Sequence, residues 1–323
     1  MRLGKAKDGA KKRSSDFPMP DVPKASVIAV LCSDIHLSAR PPVYRSNEPD
    51  WYAAMARPLN EIKTIANHYD VPVICAGDIF DKWLVPPELI NFAIAHIDNW
   101  YAIPGQHDLP YHSYEQIEKS GYWTLVAAGA VQALAPGIGR SVGEMCMYGY
   151  PWGFPIKECP DGPNLACRLA VCHKYIWKDG TEFRGAARTG HIDAFADVLK
   201  TYDAAVFGDN HVGFVARPVF NCGTLMRRKA DEATYQPQIG LLLRSGVVMP
   251  HYLDTSKDHY LALAEDAPEG KVILELADFI QQLSSLSSGA VDFSDAVTAY
   301  CERNELTDTA KHILLASITN EVR

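Results

Sequence analysis

This sequence of 323 residues lacks several features, and each absence excludes a class of protein. No apolar run approaches the length of about 18 residues that a membrane-spanning helix needs, so no such segment is predicted. The N-terminal residues contain no apolar stretch of the kind found in secretory signals. The eight cysteines form no CxxC pair, and Cys32, Cys75 and Cys172 lie in apolar runs, where a free thiol behaves as a small hydrophobic side chain. We therefore expect a cytoplasmic protein with neither a disulfide framework nor a membrane partner.

Basic residues are scarce outside the N-terminus. Residues 1–14 contain six Lys or Arg and one Asp, whereas the rest of the chain contains 25 basic and 38 acidic side chains. An acidic body gives no indication of non-specific nucleic-acid binding. Residues 1–25 combine the basic segment with three prolines, which predicts a flexible tail and linker.

The sequence does contain a series of short apolar runs, each ending in polar side chains. Three of them, at 26–32, 71–76 and 100–104, are separated by helical periodicity over 51–68 and 87–96. This order of strand, helix, strand, helix, strand predicts a parallel sheet with right-handed crossovers.

The second half of the chain predicts further strands and a helical end. Apolar runs predict strands at 131–134, 144–149, 169–172 and 204–207, and Asp50 is the expected N-cap of the helix at 51–68. Antiparallel strands that close a second sheet are expected at 212–216, 218–220, 239–243 and 246–252. Helical periodicity from residue 271 onward predicts a C-terminal helical extension within residues 256–323.

Metal-binding side chains follow several of the predicted strands. They are Asp34, His36, Asp78, Gln106, His107, Asp108, His173, Asp209 and His211. Ligands bind beyond the carboxyl ends of strands in open α/β sheets, and carboxylate, imidazole and amide oxygen suit divalent first-row metals. On an extended backbone, Asp34-x-His36 and Asp209-x-His211 each place both side chains on the same side. Together with a shared Asp78, these pairs could hold two cations about 3.5–4 Å apart, as in-line attack on phosphorus requires.

Five motifs in this order resemble those of the calcineurin-like metallophosphoesterase superfamily. They are SDIH (33–36), GDIFD (77–81), GQHD (105–108), CHKY (172–175) and GDNH (208–211). Within the superfamily, GDIFDKW (77–83) and FNCGTLMR (220–227) are most similar to the SbcD-type nucleases of DNA double-strand-break repair. The resemblance implies a four-layer α/β/β/α sandwich of two mixed sheets flanked by helices. It places the catalytic domain at residues 26–255, followed by the small helical extension.

The resemblance also implies a role for each motif residue. The first metal would be held by Asp34, His36 and His211, with Asp78 bridging, and the second would be completed by Gln106, His173 and Asp209. A metal-activated hydroxide would attack phosphorus, and His107 would protonate the leaving oxygen as general acid. Asp108 and Asp81 would orient His107 and its loop.

Two of the ligands depart from the family pattern. Gln106 stands where the family usually has Asn, and Asp209 where it usually has His. Because Asp209 replaces a nitrogen ligand with an anionic oxygen, we expect Mn²⁺ or Mg²⁺ to be favoured over Zn²⁺, with Fe²⁺ and Zn²⁺ as further options. The alternative interpretation is a disabled second site.

The predicted function is a two-metal phosphodiesterase acting as a DNA exonuclease or endonuclease. The resemblance adds an SbcC-like ATPase partner and a homodimer as expectations. One alternative is a phosphatase or phosphodiesterase on a non-DNA phosphoester, which the acidic body favours; another is a non-catalytic scaffold of the same fold. His112 and the basic run Arg227-Arg228-Lys229 are further candidates for substrate contact.

Overall fold

The computed structural model describes residues 19–160 and 165–261 of the chain. The helices predicted beyond residue 271 and most of the predicted basic tail lie outside these residues. Among the described residues, no helix is long and apolar enough to cross a membrane.

The described residues form twelve strands and four α-helices. The strands are β1 Val27–Cys32, β2 Val73–Cys75, β3 Trp100–Ala102, β4 Val131–Ala133, β5 Gly139–Val142, β6 Met145–Tyr150, β7 Cys167–His173, β8 Ala204–Gly208, β9 Phe214–Ala216, β10 Val219–Asn221, β11 Gln238–Leu243 and β12 Val248–Tyr252. The α-helices are α1 Trp51–Tyr69, α2 Pro87–His96, α3 Gly121–Ala127 and α4 Ala196–Leu199.

The strands form two mixed six-stranded sheets. The first has the order β12-β11-β1-β2-β3-β4, in which β1 to β4 are parallel and β11 is antiparallel to β1. The second has the order β5-β6-β7-β8-β10-β9, in which β6, β7, β8 and β10 are parallel and the two edge strands are antiparallel to their neighbours. The parallel core of the first sheet, predicted from the alternation of strands and helices, is confirmed.

Three buried clusters show how the layers pack. One lies between the two sheets and joins side chains such as Leu31 and Ile74 of the first sheet to Val171 and Val206 of the second. A second cluster packs α1, α2 and α3 against the outer face of the first sheet. The third covers the outer face of the second sheet with the segment that includes α4. The molecule is therefore the predicted four-layer α/β/β/α sandwich.

Two details of the predicted topology are wrong. The strands β11 and β12 extend the first sheet instead of closing the second, and β10 pairs with β8 in parallel. An antiparallel strand can return to either sheet, because its apolar pattern does not specify its partner. The sequence also gave no indication of β5, whose side chains are largely exposed, or of α3, which has only seven residues.

Local signals explain why the predicted helices form where they do. The side chain of Asp50 accepts a hydrogen bond from the backbone N–H of Ala53 at 3.0 Å, which confirms it as the N-cap of α1. Asp70 ends this helix in the left-handed conformation. Pro87 occupies the first turn of α2, where the missing N–H has no intrahelical partner to lose.

Candidate metal centre

The loops that follow β1, β2, β3 and β8, together with the end of β7, meet at one edge of the sandwich. The backbones after β1 and β2 stay bonded beyond the strands: Asp34 N donates to Gly77 O and His36 N to Asp78 O, both at 3.0 Å. Across the second sheet, His173 is in register with Gly208, the residue before Asp209. The topology therefore brings the predicted ligands from both sheets to one rim.

The backbone at this rim is left-handed, which differs from the extended backbone predicted from the sequence. Asp34, His36, Asp78 and Asp209 have φ angles of 49°, 50°, 53° and 84°, all in the left-handed region. Non-glycine residues rarely adopt this conformation, and such strain concentrates at functional sites. The side chains of each D-x-H pair still converge, but they do so through left-handed turns.

Glycine precedes three of the ligands because other site atoms occupy the space of a side chain. A Cβ at Gly105 would lie 2.1 Å from Asp78 Oδ1, and one at Gly77 would lie 2.4 Å from His173 Nδ1. Gly77 also has a φ of +99°. The glycines of the GD and GQ motifs are thus required by close packing of the site.

The first group of candidate ligands consists of Asp34, His36 and His211. The Nε2 atoms of the two histidines lie 3.1 Å apart, and they lie 3.9 Å and 4.0 Å from Asp34 Oδ1. Two imidazole nitrogens at this distance could both bind the same cation through their lone pairs. This is the set that the motif resemblance assigns to the first metal.

The second group consists of Asp34, Asp78 and His173. His173 Nε2 lies 3.4 Å from Asp78 Oδ2, while its Nδ1 lies 2.6 Å from the carbonyl oxygen of Ala76. Because a carbonyl can only accept, Nδ1 donates a proton to it, and Nε2, which faces Asp78, is the nitrogen that could bind a metal once it has lost its own proton. A histidine held by a carbonyl in this way is typical of metal ligands. Asp34 is the residue that both groups share, whereas the resemblance assigns bridging to Asp78.

Gln106 and Asp209 lie beside these groups and contact each other. Gln106 Nε2 donates to Asp209 Oδ1 at 2.8 Å, and the backbone N–H of Asp209 donates to Asp34 Oδ1 at 3.0 Å. The amide orientation leaves Gln106 Oε1 buried without a hydrogen-bond partner. That oxygen is available as a ligand, and ligation by either residue stays a prediction.

Burial governs the protonation of the central side chains. It lowers the pKa of His36 well below its usual range, against the charge of Asp78, so the ring is neutral and has a lone pair to offer. Burial raises the pKa of Asp34 to about 6, against the charges of His173 and His211. Burial alone would raise the pKa of Asp78 as well, but the combined influence of His173, His36 and His107 outweighs it and the pKa is lowered.

The donor set fits divalent cations. Asp34 and Asp78 are fully buried, and among the described residues no Lys or Arg forms an ion pair with either. Buried carboxylates without cationic partners are costly unless they coordinate a metal. In addition, Asp78 Oδ2 and His173 Nε2 are buried and have no hydrogen-bond partner. The His and Asp groups are therefore consistent with a dimetal centre.

A protein-family model described as calcineurin-like phosphoesterase matches residues 29–213, which include all five motifs. The chain belongs to the calcineurin-like phosphoesterase family. It is accordingly a metal-dependent phosphoesterase with His and Asp metal-binding groups.

Comparison with individual proteins adds little to this assignment. None of the curated proteins matches the chain. One solved structure aligns over 70% of this chain and 98% of its own, with 10% identity and a TM-score of 0.41. The calcineurin-like phosphoesterase YfkN from Bacillus subtilis aligns over 62% of this chain and 82% of its own, with 13% identity and a TM-score of 0.35. Similarity this low carries no argument about substrate.

The catalytic candidate of this calcineurin-like phosphoesterase, His107, is held from two sides. Its backbone N–H donates to Asp78 Oδ1 at 3.0 Å, and its ring Nδ1 lies 2.8 Å from the carbonyl oxygen of Asp81. The ring packs edge-on against His36, with centroids 5.1 Å apart. His107 thus lies at the metal centre with a fixed ring.

Asp108 is a positioning residue. It is fully buried, and its carboxylate accepts hydrogen bonds from the backbone N–H groups of Ile79, Phe80 and Gly105 at 3.0–3.2 Å. Burial and the charge of Asp78 raise the pKa of Asp108 to about 7, while these three N–H groups oppose the shift. Its contacts join the loops after β2 and β3, which carry Asp78 and His107.

The structure adds one residue, Glu232, that no sequence motif predicts. Glu232 Oε1 lies 3.3 Å from His211 Nδ1, and Glu232 Oε2 accepts from the backbone N–H of Lys229 at 3.1 Å. No motif marks Glu232, since it lies 21 residues after His211.

The basic run predicted as a candidate phosphate contact is mostly engaged elsewhere. Arg228 forms an ion pair with Asp81, and Arg227 binds the carbonyl oxygen of Tyr235. Lys229 is the exposed member of the run. His112 is also exposed, and its Nδ1 lies 3.2 Å from the carbonyl oxygen of Gln106.

Proposed function

We propose that this protein is a two-metal phosphodiesterase and that its substrate is DNA. The observation that carries the proposal is the meeting of buried, unpartnered ligand atoms from both sheets beside His107. Support for DNA comes from the tracts GDIFDKW and FNCGTLMR, which are similar to those of SbcD-type nucleases.

The residues of this chain would bind the cations, orient the site and move one proton. Two divalent cations would supply Lewis acidity to the phosphoryl group and activate a water molecule. His107 Nδ1 donates to the carbonyl oxygen of Asp81, because that oxygen can only accept. Nε2 is then the nitrogen that can transfer a proton without breaking this hydrogen bond. We assign it the protonation of the leaving oxygen.

The proposed metal is Mn²⁺. Asp34, Asp78, Gln106 and Asp209 would contribute oxygen atoms, and a donor set rich in oxygen favours Mn²⁺ or Mg²⁺ over the softer Zn²⁺. Activity restored to metal-free protein by Zn²⁺ but not by Mn²⁺ would contradict this assignment.

The test is hydrolysis by purified protein that has been stripped of metal and reloaded with Mn²⁺. The substrates are labelled single-stranded DNA, labelled double-stranded DNA and a bis-aryl phosphodiester. We expect DNA cleavage that His107→Ala reduces by 10²-fold or more, the scale of general acid catalysis. The matched control is His68→Ala, at an exposed position of α1, which is expected to keep wild-type hydrolysis.

The second candidate is hydrolysis of a non-DNA phosphoester. The acidic body favours it, as does the internal pairing of Arg227 and Arg228, which leaves Lys229 as the exposed cation of that run. Hydrolysis of the aryl ester without cleavage of either DNA would select this candidate. Bound metal without any hydrolysis would argue for a non-catalytic scaffold.

A further inference from the structure

Two loops beside His107 present a pair of aromatic rings at the surface. The ring of Trp83, in the loop after β2, lies 5.5 Å from that of Tyr111, in the loop after β3, with the planes inclined at 49°. Tyr111 is 75% exposed and Leu84 is 71% exposed. The exposed ring of the pair is that of Tyr111, and Trp83, which is half-buried, packs against it.

Both rings are tied to the metal centre through short backbone connections. Trp83 follows Asp81 by two residues, so their α-carbons are at most about 7 Å apart, and the carbonyl oxygen of Asp81 binds His107 Nδ1. Tyr111 follows His107 by four residues, and the next residue, His112, contacts the carbonyl oxygen of Gln106 at 3.2 Å. The aromatic pair is therefore held at the rim where His107 lies.

The loop that carries Tyr111 adopts a conformation that costs free energy. Tyr111 and His112 are consecutive non-glycine residues with φ angles of 52° and 59°. Leu109 and Pro110, just before them, are buried, so the chain turns sharply outward to present Tyr111. Such strain in a loop at a functional site points to a role for the side chains that it displays.

We propose that Trp83 and Tyr111 form a stacking platform for an unpaired nucleobase next to the scissile phosphate. The inference rests on the proposed phosphodiesterase function and names its substrate class as single-stranded DNA. An aromatic face beside a phosphate site matches a nucleotide, in which a base is joined to each phosphate through a sugar. Stacking accepts every base and requires that the base be unpaired. Lys82, exposed between Asp81 and Trp83, adds a positive charge for the neighbouring phosphate.

The test compares KM and kcat on two single-stranded oligonucleotides with the manganese-loaded protein. One oligonucleotide is normal, and the other has an abasic sugar at the cleaved position. For Tyr111→Ala we expect KM on the normal oligonucleotide to rise roughly tenfold, as the loss of one base stack implies. Tyr111→Phe keeps the ring and should keep the wild-type KM. On the abasic oligonucleotide, wild type and Tyr111→Ala should have the same KM.

The matched control is Tyr252→Ala. Tyr252 is also exposed, but it lies on edge strand β12, three strands from β2 and four from β3. Neighbouring strands are about 4.8 Å apart, so this ring is well separated from the proposed platform. We expect no change in KM. A second readout does not depend on catalysis. Fluorescence anisotropy measures the affinity of labelled oligothymidine for protein whose metal has been removed by a chelator. We expect Tyr111→Ala to lower this affinity by a similar factor.

The results separate this inference from the proposed function. DNA cleavage by the wild type, with an unchanged KM and unchanged affinity in Tyr111→Ala, would overturn the platform and leave the nuclease intact. Wild-type hydrolysis of the aryl diester without cleavage or binding of any oligonucleotide would also overturn the platform, while preserving a phosphodiesterase. Absence of all hydrolysis, with oligothymidine binding that depends on Tyr111, would overturn the catalytic function and support the platform.

Discussion

Some residues outside the motifs contact the candidate metal ligands, and Glu232 is the clearest case. Its carboxylate reaches His211 Nδ1, the nitrogen that faces away from the candidate ligands Asp34 and His36. Such a partner fixes the tautomer and the orientation of a ligating imidazole and raises its basicity. Glu232 thus acts on the centre through His211.

We expect Glu232→Ala to weaken Mn²⁺ binding by about 10- to 100-fold, the usual effect of losing such a partner. The measurement is titration calorimetry of the metal-free protein with Mn²⁺. Asp231→Ala is the control, because Asp231 lies in the same short turn and is exposed. Equal affinities in the two variants would show that Glu232 does not orient His211.

At the residue scale, the positions of the motif residues could be predicted from the sequence, but their backbone conformation could not. The motif residues converge as expected, because each follows a strand that ends at the same rim. Their left-handed backbone at Asp34 and His36 was not foreseen, since φ angles in this loop follow from hydrogen bonds to Gly77 and Asp78, distant in sequence. For the same reason nothing in the sequence linked Asp81 to Arg228 or Glu232 to His211.

At the scale of the elements, local signals in the sequence were sufficient for the two longest helices, α1 and α2, and insufficient for sheet partners. The bounds of α2 match the prediction, and α1 extends one residue past it, because caps, a first-turn proline and periodicity are all local. The partner of β11 depends instead on a contact with β1, about 200 residues earlier, that no local pattern encodes. Most elements were therefore predictable, whereas β5, α3 and part of the topology were not.

The cap of α1 gives a prediction at this scale. Asp50 satisfies one of the free N–H groups of the first turn, so Asp50→Ala should lower the free energy of unfolding by about 1 kcal/mol. Urea denaturation followed by circular dichroism measures the change, and Asp50→Ser should restore most of it. If Asp50→Ser lowered the free energy of unfolding as much as Asp50→Ala does, the capping hydrogen bond would contribute nothing to stability.

At the scale of the whole molecule, a buried ionic cluster joins the segment before α1 to the last residues that the structure describes. Arg45 is fully buried between the rings of Trp51 and Tyr260, and its guanidinium pairs with Glu48 and Asp258. Further hydrogen bonds made by His259, Tyr260 and Leu261 hold residues 258–261 against the segment before α1. The cluster is costly to disrupt because removing one partner leaves other charges buried and unpaired.

We expect Arg45→Ala to destabilise the protein by about 3–5 kcal/mol, the scale for breaking a buried ion pair. Arg168→Ala is the control, since Arg168 forms an exposed pair with Asp203 that should be worth no more than about 1 kcal/mol. Both values follow from urea denaturation midpoints and slopes. Equal losses in the free energy of unfolding for the two variants would mean that the buried cluster stabilises the protein no more than an exposed ion pair does.

The metal centre spans the two sheets, and this has a consequence for the stability of the whole fold. Asp34, Asp78 and Gln106 follow strands of the first sheet, whereas His173 and Asp209 belong to the second. A cation bound by residues of both sheets favours the folded state, in which alone these ligands lie together. Free metal at 100 times its dissociation constant should add about 2.7 kcal/mol to the free energy of unfolding.

We therefore expect Mn²⁺ to raise the melting temperature by roughly 5–10 °C relative to protein in chelator, given the usual relation between stability and Tm for a domain of this size. Differential scanning calorimetry at several Mn²⁺ concentrations measures the shift. His173→Ala removes a ligand supplied by the second sheet, so its shift should be much smaller, while His68→Ala, at an exposed position of α1, should keep it in full. A wild-type melting temperature independent of Mn²⁺ would show that no cation bridges the two sheets, because binding to the folded state alone must stabilise it.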